Sequence, residues 1–397
     1  MSYDQTPTLL HRQVLETAST TPNEPGDDMK HQISSLSDFD IHLSSSQEVT
    51  FMDPALYLAP EVYDVDVERI FPDAWVVVAD VNDLASPGQW ACEHVGDRHV
   101  LIQRATNGEL LALSAGPCRA MAGGSPTNVP DNEVAAGCAV CEVIAHQETP
   151  NVAAMLTTSA CDPADLDVWE RFLFVNPSRT AGPLLDYLAP LPELLRGHDI
   201  AKQQSVVSFT HQSASNWKLL VDNGFCDYHV PFVHERLMPL IEGPDTWGQE
   251  LAPNVTILTA ALTEAGLEGQ PLYSGIVSRG DPALVNLSMA MGIYPNVLLL
   301  GFRTGAVHLI TWWPTGIAST QVRVRTYDHK PPSDDDVRYG AASVELLQRE
   351  DIGICELVQQ GLASSSYRPG PRHRLETRVF GFHQRYLAAL EAAIDSP

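Results

Sequence analysis

Two histidines five positions apart, His229 and His234 in the segment DYHVPFVHERL, are the first residues whose type and spacing could do chemistry. Neutral imidazole is a good ligand for borderline divalent metals. On a regular helix five residues advance about 500°, which would leave the two rings about 140° apart. Pro231 stands between them and is expected to break the ladder, opening a wide turn that aims both rings at one ion. The plainer reading is two ordinary histidines near a helix end. Asp351, in QREDIGICELVQQG, favours the metal. It is expected to share a helix face with Ile354 and the edge of Cys355, toward the core, where a carboxylate is costly unless paired or bound to a cation. Glu350, beside it, is expected to face solvent. Two His and one carboxylate make a facial set that leaves three positions of an octahedral Fe(II) open for O2 and substrate.

These residues need a scaffold, and the patterning predicts an α+β one. From Asp53 to Phe71 the spacing predicts a helix with Val62, Val65, Ile70 and Phe71 as apolar contacts. WVVVA at 75–79 reads as a buried strand. WACEHV, HVLIQRA and ELLALSA, separated by the turn signals GD and TNG, predict a small antiparallel β domain that runs through GCAVCEVIA to RFLFVNP. LLDYLAPLPELL (Leu184 to Leu195) reads as one short helix and the joint to a second domain. There QSVVSFT, NVTILTAAL, NVLLLGF, VHLITWW and TQVRVRTY predict one twisted antiparallel sheet. The segment DDDVRYGAASVELLQREDIGICELVQQGLA predicts a long helix with Val344, Leu347, Ile354 and Leu357 on its apolar side, and RVFGFHQRYLAALEAAI a terminal one. Strands followed by helices indicate α+β rather than alternating βαβ units. The expected domains are a weakly ordered extension over 1–50, the small β domain over 51–180 and a larger catalytic domain over 181–397.

Composition narrows the function classes. Hydrophobic residues are 44% of 397 and charged residues 19%, enough apolar material for a sizeable core. With Lys+Arg 24 against Asp+Glu 50 the net charge is −26, which argues against nucleic acid and against anionic lipid as partners. No apolar run reaches the length of a membrane span, and the start MSYDQTPTLLHRQ has no secretory pattern, so a cytoplasmic protein with reduced thiols is expected. Dinucleotide, P-loop and nucleophile-elbow motifs do not occur.

The segment NWKLLVDNGFCDYHVPFVHERL resembles the signature of Rieske-type non-heme iron oxygenases, the ring-hydroxylating oxygenase α subunits: Asn216-Trp217-Lys218, Asp222-Asn223, Tyr228-His229 and His234 stand in the family's order. Glu350-Asp351, Glu356, Gln359 and Gly361 resemble its later acidic segment, and the likeness runs from about Asp53 to Tyr386. It implies that His229, His234 and Asp351 hold a mononuclear Fe(II), with Asn223 and Asp227 as further candidate catalytic residues. Two departures accompany it. The family's C-x-H and C-x-x-H motifs bind a Rieske [2Fe–2S] cluster. Here Cys118 is followed by Ala120, and Cys141 by Ile144, so the two cysteines are remnant cofactor positions and no such cluster is expected. A thiolate metal site from Cys118, Cys138 and Cys141 with Cys92 or His146 is the lesser alternative; Cys161, Cys226 and Cys355 read as structural. Second, where the family has an acid that bridges a neighbouring subunit's cluster to the iron, this chain has Cys226.

The resemblance thus implies an Fe(II)-dependent oxygenase that hydroxylates or demethylates a small organic substrate, aromatic rings among the candidates, with O2, in a homo- or hetero-trimer. Its electrons would come from a cluster-bearing homologue, a reductase or the substrate itself. The alternatives are a non-catalytic partner subunit of a heteromeric Rieske oxygenase, or a binding protein that keeps the pocket. Phe302, Trp312 and Trp313 are the pocket candidates, with core packing as their plainer reading.

Overall fold

The computed structural model describes residues 50–116, 140, 149–157, 161–268, 287–301, 306–329 and 334–395. The N-terminal extension before Thr50 and the positions Cys118, Ala120, Cys138, Cys141, Ile144, His146 and Phe302 lie outside the described residues. The architecture is α+β, as the patterning predicts. Among the described residues no helix is long and apolar enough to cross a membrane.

The first segment departs from a single helix. It forms short helices at Ala55–Leu58 and Pro60–Val65 and a π turn at Asp66–Ile70, with Ala59 extended between the first two. The cause is Pro60, whose ring disfavours the helical conformation in the residue before it. Two small antiparallel sheets follow. Strands β1 (Val76–Asp80), β6 (Asp165–Trp169) and β7 (Phe172–Asn176) run in the order β1-β7-β6. Strands β2 (Trp90–Val95), β3 (Arg98–Arg104), β4 (Leu110–Ala115) and β5 (Asp162–Pro163) form the other sheet in sequence order. The β2–β3 turn needs Gly96: its φ is +64°, and a Cβ there would lie 1.9 Å from the Val67 carbonyl oxygen. The predicted helix at Leu184 to Leu195 is two single turns, Leu184–Tyr187 and Leu191–Leu194, separated around Pro190.

The larger sheet has seven antiparallel strands: β8 (Gln204–Ser213), β9 (Gly248–Leu251), β10 (Val255–Ala261), β11 (Leu287–Ile293), β12 (Val297–Gly301), β13 (Val307–Gly316) and β14 (Ser319–Asp328). Their order is β8-β14-β13-β12-β11-β10-β9. Val307, Leu309, Ile310, Trp312 and Trp313 of β13 are all buried, so this strand is covered on both faces. Strand β14 alternates instead. Val322 and Val324 point into the core, while Arg323 reaches Glu93 of β2 and Arg325 reaches Asp83 in the 3-10 turn after β1.

The helices of this part that bear on the site are α1 (Trp217–Phe225), α2 (Val230–Val233), α3 (Asp334–Leu362) and α4 (Thr377–Asp395). Helix α1 is clamped from every side. Gly224 faces the Trp312 ring and Leu298 of the sheet, the Trp217 ring meets Phe382 and Tyr386 of α4, and the Cys355 thiol of α3 donates to the Leu219 carbonyl at 3.5 Å. Asn216 caps it, its side chain accepting from the Lys218 amide at 2.9 Å and donating to the carbonyls of Tyr57 and Ile317. The buried Lys218 ammonium pairs with Asp66, whose carboxylate also accepts from Trp217 Nε1 at 2.9 Å and Tyr386 hydroxyl at 2.7 Å. The Asn-Trp-Lys run is therefore the bolt that fixes the start of α1. Two side chains of α3 fasten the same place: Glu356 accepts from the Ala214 amide and Gln359 from the Asn216 amide, both at 2.8 Å.

The apolar side of α3 differs from the periodicity. Val344, Gln348, Cys355, Gln359 and Leu362 are buried, whereas Ile354 is 36% and Leu357 53% exposed. Polar Gln359 takes a buried position because it carries a hydrogen bond to α1, which displaces the apolar stripe toward solvent.

Candidate metal centre

Fixing α1 against α3 sets two segments face to face: the chain leaving the end of α1, which carries His229 and His234, and the middle of α3, which carries Asp351. The two histidines flank α2, a single helical turn. His229 is its N-cap, and His234 leaves it with φ −107° and ψ 55°. The predicted wide turn at Pro231 is thus corrected. Pro231 sits in the first turn, where its missing N–H has no helical partner to lose, and the two rings converge because His234 is already outside the helix.

The donor atoms meet closely. His229 Nε2 lies 3.1 Å from His234 Nε2 and 3.3 Å from Asp351 Oδ1, and His234 Nε2 lies 3.0 Å from the same oxygen. Among the described residues these three are the one group of metal-ligating side chains so gathered. Each has its own anchor. His229 Nδ1 donates to the Cys226 carbonyl at 2.6 Å, and His234 Nδ1 donates to Glu350 Oε2 at 2.9 Å. With Nδ1–H engaged, each neutral ring turns a bare Nε2 lone pair toward the other and toward the carboxylate. Asn223 Nδ2, on α1, donates to Asp351 Oδ1 at 2.7 Å.

Three lone-pair atoms at this spacing repel unless a cation stands among them. Two ligands at right angles, each about 2.1–2.2 Å from a metal, are about 3 Å apart, so the triangle fits a facial set on an octahedral ion. In the metal-free protein a proton takes the cation's part. Burial lowers the His229 imidazole, but the Asp351 carboxylate and its surroundings outweigh this and push it up to about 9. For His234, burial is likewise outweighed by Asp351 and Glu350, so it too is raised. Burial would raise Asp351, yet the two imidazoles hold it below the usual carboxylate range.

The other sequence candidates fall in different places. Asp227 is not gathered with the three. Its carboxylate accepts from Arg378 Nη1 at 2.7 Å in a pair that is 0% and 2% exposed. Asp222 accepts from the Tyr57 hydroxyl at 2.6 Å and pairs with His383 at 2.8 Å, on the N-terminal and α4 side of α1. Trp312 packs edge-on against Phe225, and Trp313 donates to Thr311 in the core. Two contributors escaped the sequence reading. Glu350, expected in solvent, anchors His234. The Cys226 carbonyl carries no side-chain signal at all.

Residues 201–392 match the family model of the ring hydroxylating alpha subunit (catalytic domain). Among curated relatives, the glycine betaine monooxygenase oxygenase subunit of Pseudomonas aeruginosa is 24% identical over 362 residues, covering 79% of this chain and 83% of its own. Choline monooxygenase, chloroplastic, of Spinacia oleracea is 25% identical over 346 residues, covering 79% and 72%. Among solved structures, the quaternary ammonium Rieske monooxygenase CntA in complex with substrate L-carnitine has a TM-score of 0.62 at 18% identity over 87% of this chain and 96% of that one. Naphthalene 1,2-dioxygenase from Rhodococcus sp. bound to indole has 0.60 at 17% identity over 87% and 95%. Fold and matches agree on a class: residues 201–392 carry the ring hydroxylating alpha subunit catalytic domain, and the chain is similar over most of its length to proteins named as glycine betaine and choline monooxygenases, with the fold of Rieske oxygenases. It is an oxidoreductase by this kinship, since the relatives carry the names of monooxygenases.

Proposed function

We propose that this chain is an Fe(II)-dependent oxygenase subunit that oxidises a small quaternary ammonium compound. The observation that carries the reading is the triangle of His229 Nε2, His234 Nε2 and Asp351 Oδ1, with sides of 3.0–3.3 Å. These residues would hold the iron. Bound there, Fe(II) supplies redox chemistry toward O2 that no side chain can perform. The chain's own part is to aim the ligands. Cys226 and Glu350 fix the imidazole tautomers, and Asn223 steadies the carboxylate.

The substrate class rests on the relatives, named for glycine betaine and choline, and on the neighbour that holds L-carnitine. A net charge of −26 agrees with it by drawing cations toward the molecule. We read residues 51–180 as the Rieske-like β domain and 181–397 as the catalytic domain. Ala120 and Ile144 cannot ligate iron, so the electrons come from a cluster-bearing homologue or a reductase, in a homo- or hetero-trimeric assembly. Oxygen uptake by the iron-loaded protein with a chemical reductant tests this. Glycine betaine, choline or L-carnitine should accelerate uptake by the unaltered chain and not by His229→Ala. No acceleration by any of the three would contradict it. The same missing histidines favour a second reading, a non-catalytic partner subunit, which expects no substrate-dependent uptake by this chain alone and a stable complex with a cluster-bearing homologue.

A further inference from the structure

Of the three anchors in the centre, two are neutral, the Cys226 carbonyl and the Asn223 amide; one is a charge. Glu350 Oε2 accepts from His234 Nδ1 at 2.9 Å, and its side chain is 32% exposed while the ring it holds is 7% exposed. It is therefore a carboxylate at the surface with its hydrogen bond directed inward. It lies one turn from Leu346 and from Ile354 on α3, both exposed.

We propose that Glu350 is the positioning residue that sets the tautomer and the basicity of His234, and with them the ferrous affinity of the site. A carboxylate on Nδ1–H keeps that proton in place and leaves Nε2 as the lone pair. It also pushes electron density through the ring toward Nε2, making the imidazole a stronger donor to a cation. Glu350 adds a second negative charge beside Asp351 without occupying a coordination position, so the three open positions stay open. His229 has no such partner: its Nδ1–H meets a neutral carbonyl at 2.6 Å. The two imidazoles are thus unequal, and the stronger donor is the one nearer the exposed face of α3. The inference rests on the ferrous-site reading proposed above.

Anaerobic equilibrium titration of the apo chain with Fe(II) tests it, read as a dissociation constant and independent of turnover. Glu350→Ala should weaken Fe(II) binding about 10- to 100-fold. Glu350→Gln keeps an oxygen to accept the same hydrogen bond without the charge and should fall between Glu350→Ala and the unaltered chain. Glu350→Asp should restore part of what Glu350→Ala loses. Leu346→Ala, one turn away on the same face, should leave the constant unchanged, and all four variants should melt with the unaltered chain. A constant within twofold of normal for Glu350→Ala would overturn the proposal while leaving the ferrous site standing. Equal weakening by Glu350→Ala and Leu346→Ala would overturn it too, as a general loosening of α3. If the unaltered chain binds no Fe(II), the ferrous-site reading falls and takes this inference with it.

Discussion

His229, His234 and Asp351 advertise themselves by type, and a reader of the sequence can name them. What aims them is harder to see. Asn223 belongs to a recognisable pair with Asp222, but its hydrogen bond to Asp351 Oδ1 crosses 128 positions of sequence. Glu350 looks like any acidic residue on a helix, and its partner His234 is 116 positions away. The Cys226 carbonyl is backbone, present at every residue. Tertiary contacts of this kind leave no local pattern. Two predictions belong to this scale. Asn223→Ala frees Asp351 and should weaken Fe(II) binding about 10- to 100-fold, read by anaerobic titration, with little change in melting. Asp227→Ala should do the reverse. It strands the buried Arg378 guanidinium, a loss of about 3–5 kcal/mol in denaturant unfolding, because an uncompensated buried charge remains. A loss of iron affinity by Asp227→Ala with stability intact would return Asp227 to the metal centre.

At the scale of elements, apolar runs and turn signals mark the strands well. NVLLLGF, VHLITWW and TQVRVRTY become β12, β13 and β14. Strands β9 and β11 were not named: GQEL and LSMAMGI lack a β-branched run, and pairing on both sides of β11 supplies what local preference does not. The failure on α3 is more informative. Periodicity put Ile354 and Leu357 inside, but the inner side of this helix carries Asp351 to His229 and His234, and Glu356 and Gln359 to the start of α1. A functional helix face thus reads as polar in sequence and is taken for the outside. The short α2 is testable. Pro231 lies where no amide hydrogen bond is lost, so Pro231→Ala should cost only about 0.4–1 kcal/mol through the unfolded chain and leave Fe(II) affinity unchanged. Gly224→Ala acts differently: a Cβ there falls 2.4 Å from the Trp312 ring. Helix α1 must shift, lowering stability by about 1–3 kcal/mol and weakening iron binding together, because Asn223 is the neighbouring residue.

Over the whole molecule, the α+β class and the two-part succession of small sheets and large sheet are legible, since they follow from the order of strand and helix patterns. How Arg323 and Arg325 fasten the parts to each other is not, because both occupy the polar positions of an alternating strand and would pass for solvent-facing residues. Buried histidines make a global property predictable. Burial lowers His94 to about 4, and His99 and His308 to about 3. All three are neutral when folded, whereas in the unfolded chain they gain a proton near the ordinary value of about 6.5. Their contribution is fully present above that value. It declines as pH falls from about 6.5 toward 4, where the unfolded state binds more protons, by up to about 1.4 kcal/mol per pH unit for each. Denaturant unfolding at stepped pH should show this slope, reduced in His308→Asn. A stability flat from pH 6.5 to 4.5 would contradict it.

The most direct test of the central claim is iron and acid-labile sulfide analysis of the anaerobically purified chain, paired with its visible spectrum. A His229, His234 and Asp351 centre without a Rieske cluster predicts about one iron per chain, no sulfide and no cluster absorbance. About three irons and two sulfides would show that the cysteines near Cys118 and Cys141 assemble a cluster despite Ala120 and Ile144, and would contradict the external electron supply. No iron, even after reconstitution with Fe(II), would contradict the oxygenase itself.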